Sequence, residues 1–250
     1  MPTATTTRRR FLSNAAFTSA ALGLFPRDTR AASDTAPSAS PQLADWFYSQ
    51  KEWDREPFDK LLHAKKDVKQ VFDVTGPDGE EVAFHVHSSL TGLEHGFGVP
   101  SAKILIVAAL RAKATVLNLN DQAWKKYQIG ALLKIDDPKT QKPAQRNPFY
   151  ASSVAPDGKY PTTDPNDPRA IEFDASLQSA QERGLQMLCC HVAIEHFSRA
   201  IVREQKLQVS QESVARDLLA NLLPGVIVVP SMVSAIPMLE TYGRFTYLRL

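Results

Sequence analysis

Two cysteines occur in the 250 residues, and they are neighbours: Cys189 and Cys190, followed at once by His191. Cysteine acts as a nucleophile or a metal ligand through its thiolate, so what surrounds the sulfur decides what it does. A disulfide between adjacent residues closes a strained eight-membered ring, which argues against a permanent staple. Cys189-Cys190-His191 lacks the two-residue gap of a haem-attachment motif. Thiol and imidazole together suit zinc or copper, so a mixed site of Cys190, His191 and one distant residue stays open. A histidine-rich metal site fits less well. His85 and His87 lie on a segment of helical pattern and point some 200° apart at about 100° per residue; His95 falls opposite the apolar stripe, and His191 and His196 diverge. Gly-x-Ser-x-Gly and phosphate-loop patterns do not occur, and Gly92-x-x-x-Gly96-x-Gly98 reads as a helix end. The carboxylate pair Asp136-Asp137 reads as solvated turn residues.

The elements around the cysteines follow from hydrophobic patterning. Strand-like runs occupy 69–74, 104–110, 185–190, 226–229 and 245–248. Helical patterns lie between them. Val82, Val86, Leu90, Leu93 and Phe97 form a stripe at helical spacing. Asp121 to Tyr127 and Ala175 to Arg183 read as short helices, and Ile129 to Ile135 is ambiguous between helix and strand. His191 to Lys206 turns Ala193, Ile194, Phe197, Ala200 and Ile201 inward, Ser210 can cap a helix that runs to Leu223, and Pro230-Ser231 opens a last helix. Strands alternating with helices predict an α/β fold whose mostly parallel sheet of about five strands is covered on both faces. Chemistry in such sheets gathers beyond the carboxyl ends of the strands, here after Leu110, Cys190 and Val229. Side chains alternate along a strand, so Cys189 and Cys190 face opposite ways. Cys190 opens the following helix, whose free N–H groups stabilise a thiolate, and His191 beside it is a source of positive charge.

Two stretches stand apart. Residues 136–169 hold Pro138, Pro143, Pro148, Pro156, Pro161, Pro165 and Pro168 among polar residues, and read as a surface excursion, partly ordered at best. The N-terminal Thr6-Thr7-Arg8-Arg9-Arg10-Phe11-Leu12 resembles the twin-arginine export consensus; a short apolar stretch from Ala15 to Phe25 follows, with small residues at Thr29-Arg30-Ala31. This predicts a signal peptide over 1–32, a Ser/Ala/Pro linker over 33–44, one domain over 45–250 and a periplasmic destination reached folded through the twin-arginine translocase. Trp46, Phe47, Tyr48, Trp53 and Phe58 predict that 45–62 packs on the domain. The formal charge is +2. Removing the leader takes five of 29 basic and one of 27 acidic residues, leaving 24 against 26. A near-neutral domain without a basic stripe gives no electrostatic case for nucleic acid. No apolar run reaches the roughly 18 residues of a stable membrane span.

Three segments carry a family resemblance. Gly184-Leu-Gln-Met-Leu-Cys-Cys190-His-Val-Ala, Asp217-Leu-Leu-Ala-Asn-Leu-Leu-Pro-Gly225-Val-Ile-Val-Val-Pro-Ser231 and Gly243-Arg-Phe-Thr-Tyr247 resemble the C-terminal half of DsrE/DsrF-like proteins. Leu119-Asn120-Asp121-x-x-Trp124-x-x-Tyr127 and Leu90-Thr-Gly92 resemble segments of its exported members. The resemblance covers 68–135 and 174–250. It implies a three-layer α/β/α fold, a homo-oligomer (trimer or hexamer), and a cysteine that takes sulfane sulfur from a donor protein or small thiol. Cys190 matches that cysteine, with His191 and Ser231 expected to line its mouth. The chain departs from the family pattern at Cys189, His191 and Met232, and Pro237 sits inside the last helix, where a kink is expected. A second reading therefore stands beside the first: a non-catalytic oligomeric protein that binds a small ligand or metal. The residues name no cofactor.

Overall fold

The computed structural model describes residues 53–151 and 176–250. The leader, the linker, Trp46, Phe47, Tyr48 and residues 152–169 of the proline-rich stretch lie outside them. The described residues form five strands: β1 (Val68–Val74), β2 (Ile104–Leu110), β3 (Gln186–Cys190), β4 (Ile227–Val229) and β5 (Thr246–Arg249). They make one sheet in the order β4-β3-β2-β1-β5, and every neighbouring pair is parallel. β2, the longest uninterrupted apolar run, lies at the centre with all seven residues buried, as a strand covered on both faces requires.

Alternation divides the core. Leu105, Val107 and Ala109 of β2 pack with Val71, Leu188 and Cys190 against α1 (Glu56–Leu62) and α8 (Met232–Thr241). Ile104, Ile106, Ala108 and Leu110 pack on the other face against α2 (Gly79–Thr91) and α5 (Leu177–Glu182). Helices on both faces of a parallel sheet make a three-layer α/β/α fold. Trp53 and Phe58 take the places expected of the N-terminal aromatics: Trp53 Nε1 donates to the Val228 carbonyl at 2.8 Å, and Phe58 is buried. A third cluster joins α3 (Asp121–Lys126), α4 (Ile129–Leu133), α6 (His191–Gln205) and α7 (Gln211–Ala220) around Trp124, Ile194 and Leu218. The ambiguous segment after Tyr127 is thus helical through Leu133.

Local chemistry sets the ends. The Asp78 carboxylate accepts from Glu81 N to start α2, and the Ser210 hydroxyl accepts from Ser213 N to start α7. Val82, Val86 and Leu90 are buried as their spacing predicts, but Phe97 is 82% exposed. α2 widens into a π-helical turn over Gly92–Gly96. The extra residue per turn rotates Phe97 off the stripe. α8 runs through Pro237, as expected of the sequence.

The first half of the proline-rich stretch is better ordered than its composition suggests. Asp136 bridges Pro143, the Asp137 carboxylate accepts from Lys139 N and Thr140 N, and Arg146 pairs with it at 3.0 Å. Asn147 is buried, and its amide donates to the carbonyls of Leu117 at 3.1 Å and Leu119 at 2.9 Å. Polar side chains that satisfy buried backbone replace the apolar residues the segment lacks. Among the described residues, no helix is long and apolar enough to cross a membrane.

Candidate functional site

The segments that follow β2, β3 and β4 converge, as the strand-end rule expects. Their residues Arg111, Lys113, Cys190, Ser231 and Met232 line one pocket of about 870 Å³. The far side comes from α6, through His196, Phe197 and Arg203, and from the end of α4, through Leu132 to Lys134.

Cys190 closes β3 and stands at the N-cap of α6. Its Sγ accepts a hydrogen bond from Met232 N, the first residue of α8, at 3.3 Å. Two helix N-termini therefore meet at this sulfur, one on its own chain segment and one that follows the neighbouring strand β4. Cys190 is 5% exposed, and what little is open faces the pocket. Cys189 has a different environment. It points to the opposite side, fully buried beside Ile194 and Val214, with Thr115 Oγ1 at 3.7 Å. Burial pushes its thiol up to about 12, so it stays protonated and inert at neutral pH. Both cysteines are free.

Ser231 takes the N-cap position of α8, and among the described residues its hydroxyl caps no backbone N–H. It lines the pocket near Cys190. His191 sits elsewhere than at the mouth. It is buried off the pocket wall, with its Nε2 3.6 Å from Glu195 Oε1. Burial pulls the imidazole down from 6.5 to about 4, so it is neutral at pH 7 and brings no positive charge to the thiol.

The charge near Cys190 comes instead from Arg111, the residue that follows β2. Its Nε and Nη2 donate to the two Asp73 oxygens at 2.7 and 2.8 Å, and Tyr247 OH donates to the same carboxylate at 2.8 Å. Burial works to raise the Asp73 carboxyl, but the hydrogen bonds from Arg111 and Tyr247 prevail and hold it below the usual range. The Asp73 hydrogen bond in turn raises Arg111 above its ordinary value, against burial; Tyr247 and the Cys190 sulfur add smaller electrostatic contributions. A sequence signal did exist: Arg111 is the first residue past the central apolar run, where the strand-end rule points.

The histidines on α2 do diverge. His85 is half-buried, with Glu81 at 4.0 Å, whereas His87 is buried between Ser179 Oγ and Arg183 Nη1, each at 2.9 Å. Arg183 can only donate, so the His87 Nδ1 accepts and its Nε2–H points to Ser179, a structural arrangement. Among the described residues, no three His, Cys, Asp or Glu side chains stand close enough to hold a metal, so no third ligand joins Cys190 and His191. The arrangement offers a single sulfur that accepts a backbone N–H, beside a fixed guanidinium, in a pocket lined by both apolar and cationic side chains. Comparison with protein-family models, with curated proteins and with solved structures finds no match for this chain.

Proposed function

We propose that the protein is a DsrE/DsrF-like sulfur carrier, exported by the twin-arginine route to the periplasm and assembled as a trimer or hexamer, in which Cys190 accepts sulfane sulfur as a persulfide. The supporting observation is the Met232 N–H aimed at Cys190 Sγ inside an accessible pocket. A backbone N–H donor stabilises negative charge on sulfur, and an anionic sulfur is what both the attacking thiolate and the resulting persulfide present. The Arg111 guanidinium adds to the same field. Ser231 at the pocket wall can donate to a sulfur or to an incoming ligand. The buried Cys189 takes no part.

Incubation of the mature protein with a polysulfide, followed by intact-mass measurement, tests the reading. One added sulfur is expected on the native chain and none on Cys190→Ser, while Cys189→Ser loads like the native protein. An adduct of equal yield on Cys190→Ser refutes it. The size and charge of the pocket favour a second reading, a non-catalytic binder of an organic anion. That reading expects ligand uptake by Cys190→Ser with no covalent sulfur on any variant.

A further inference from the structure

Resting on the sulfur-carrier reading, we infer that the donor is a small organic persulfide bearing carboxylates, held by its charge against Lys113 and Lys134 while its outer sulfur meets Cys190. The charge on the pocket wall is the first ground. Four cations line it, Arg111, Lys113, Lys134 and Arg203, against one carboxylate, Glu204. Glu204 already pairs with Arg203 at 2.8 Å, and Arg111 is matched by Asp73. Among the described residues, Lys113 and Lys134 make no ion pair, so two ammonium groups face the cavity uncompensated.

The backbone sets both lysines in place. Lys134 is left-handed at φ +58°, and Ala112, which joins Arg111 to Lys113, at φ +51°. Non-glycine residues adopt this region at a cost, so the turns at the rim are held by their surroundings rather than by local preference.

Volume is the second ground. About 870 Å³ far exceeds what an inorganic oxyanion fills and falls in the range of organic-ligand sites. Leu132, Leu133 and Phe197 add apolar lining on the side that Lys134 shares, across from Lys113. A carbon skeleton between a carboxylate and a sulfur suits a lining in which ammonium groups and apolar side chains alternate.

The transfer balances without an outside oxidant. The Cys190 thiolate attacks the outer sulfur of R–S–SH, and a new S–S bond forms as the donor's own S–S bond breaks. The R–S group leaves as a thiolate with the bonding pair, and the proton stays on the transferred sulfur or passes to solvent. Arg111 lies where it stabilises negative sulfur on either side of the exchange.

Persulfides of mercaptosuccinate, 3-mercaptopropionate, 2-mercaptoethanol and cysteamine share one reacting group and run from two negative charges to one positive. The rate at which each adds sulfur to Cys190 of the full mature chain, read by intact mass, is expected to fall in that order. About tenfold should separate the dicarboxylate from the uncharged donor at low ionic strength, shrinking as salt is added. Lys113→Gln/Lys134→Gln, at two exposed positions, should bring the dicarboxylate rate down to that of the uncharged donor, whereas Lys125→Gln on α3 should keep the order. If Cys190 loads equally from all four donors, or fastest from cysteamine, the donor inference falls and the carrier reading stands. If no donor loads Cys190, both fall.

Discussion

At the scale of single residues, the two adjacent sulfurs have opposite fates because the strand turns them to opposite faces. Cys189 has no route to solvent and a raised thiol; Cys190 touches the pocket. Iodoacetamide at neutral pH is therefore expected to label Cys190 alone in the folded protein and both cysteines in urea, a difference that peptide mapping reads directly. Labelling of Cys189 without denaturant would contradict the packing. A dithiol-bridging arsenical should likewise bind no more tightly than a monothiol reagent, since it needs both sulfurs on one side. His191 gives a pH signature. The unfolded chain takes up this proton near pH 6.5 and the folded one only near 4. Between those values the unfolded state holds more protons, so stability is full above 6.5 and is lost as pH falls towards 4. Between pH 7 and pH 5 the loss is on the order of 2 kcal/mol. Urea midpoints at pH 7 and pH 5 should fall further apart for the native chain than for His191→Asn, and identical shifts would refute the buried neutral imidazole.

At the scale of elements, the positions of the strands were legible because long apolar runs can be satisfied only inside a sheet with two covered faces. The expected 104–110 run is β2, and the segment before Cys190 is β3. Ser210 was legible as a cap because its hydroxyl has one simple task. Less legible was the stretch after Ile135. Prolines and polar residues describe a loop equally well whether it drifts or docks, and docking here depends on Asn147 finding two carbonyls some thirty residues away. Asn147→Ala would leave both carbonyls buried without a partner. A loss of about 2–3 kcal/mol is expected in denaturant unfolding; a loss below 0.5 kcal/mol would mean that the segment is not anchored this way. Gly130 marks the same contact, because a Cβ there would stand 2.4 Å from the Ala144 backbone.

At the scale of the whole molecule, the site is a product of topology. Cys190 and Ser231 could be picked out as single positions, but Arg111 could not be tied to them, since 78 residues lie between Arg111 and Cys190. Only the neighbouring places of β2, β3 and β4 bring the three strand ends together. His191 misled for the complementary reason: adjacency in sequence to a cysteine says nothing of which way a helix turns the next side chain. The pairing of β1 with β5, where Val71 lies opposite Tyr247 and Asp73 opposite Arg249, has a temporal consequence. A growing chain on the ribosome holds β1 early but cannot complete that edge, or place the Tyr247 hydroxyl on Asp73, until residue 249 has emerged. Until then Arg111 lacks its finished support, so the pocket matures only after synthesis has passed the last strand.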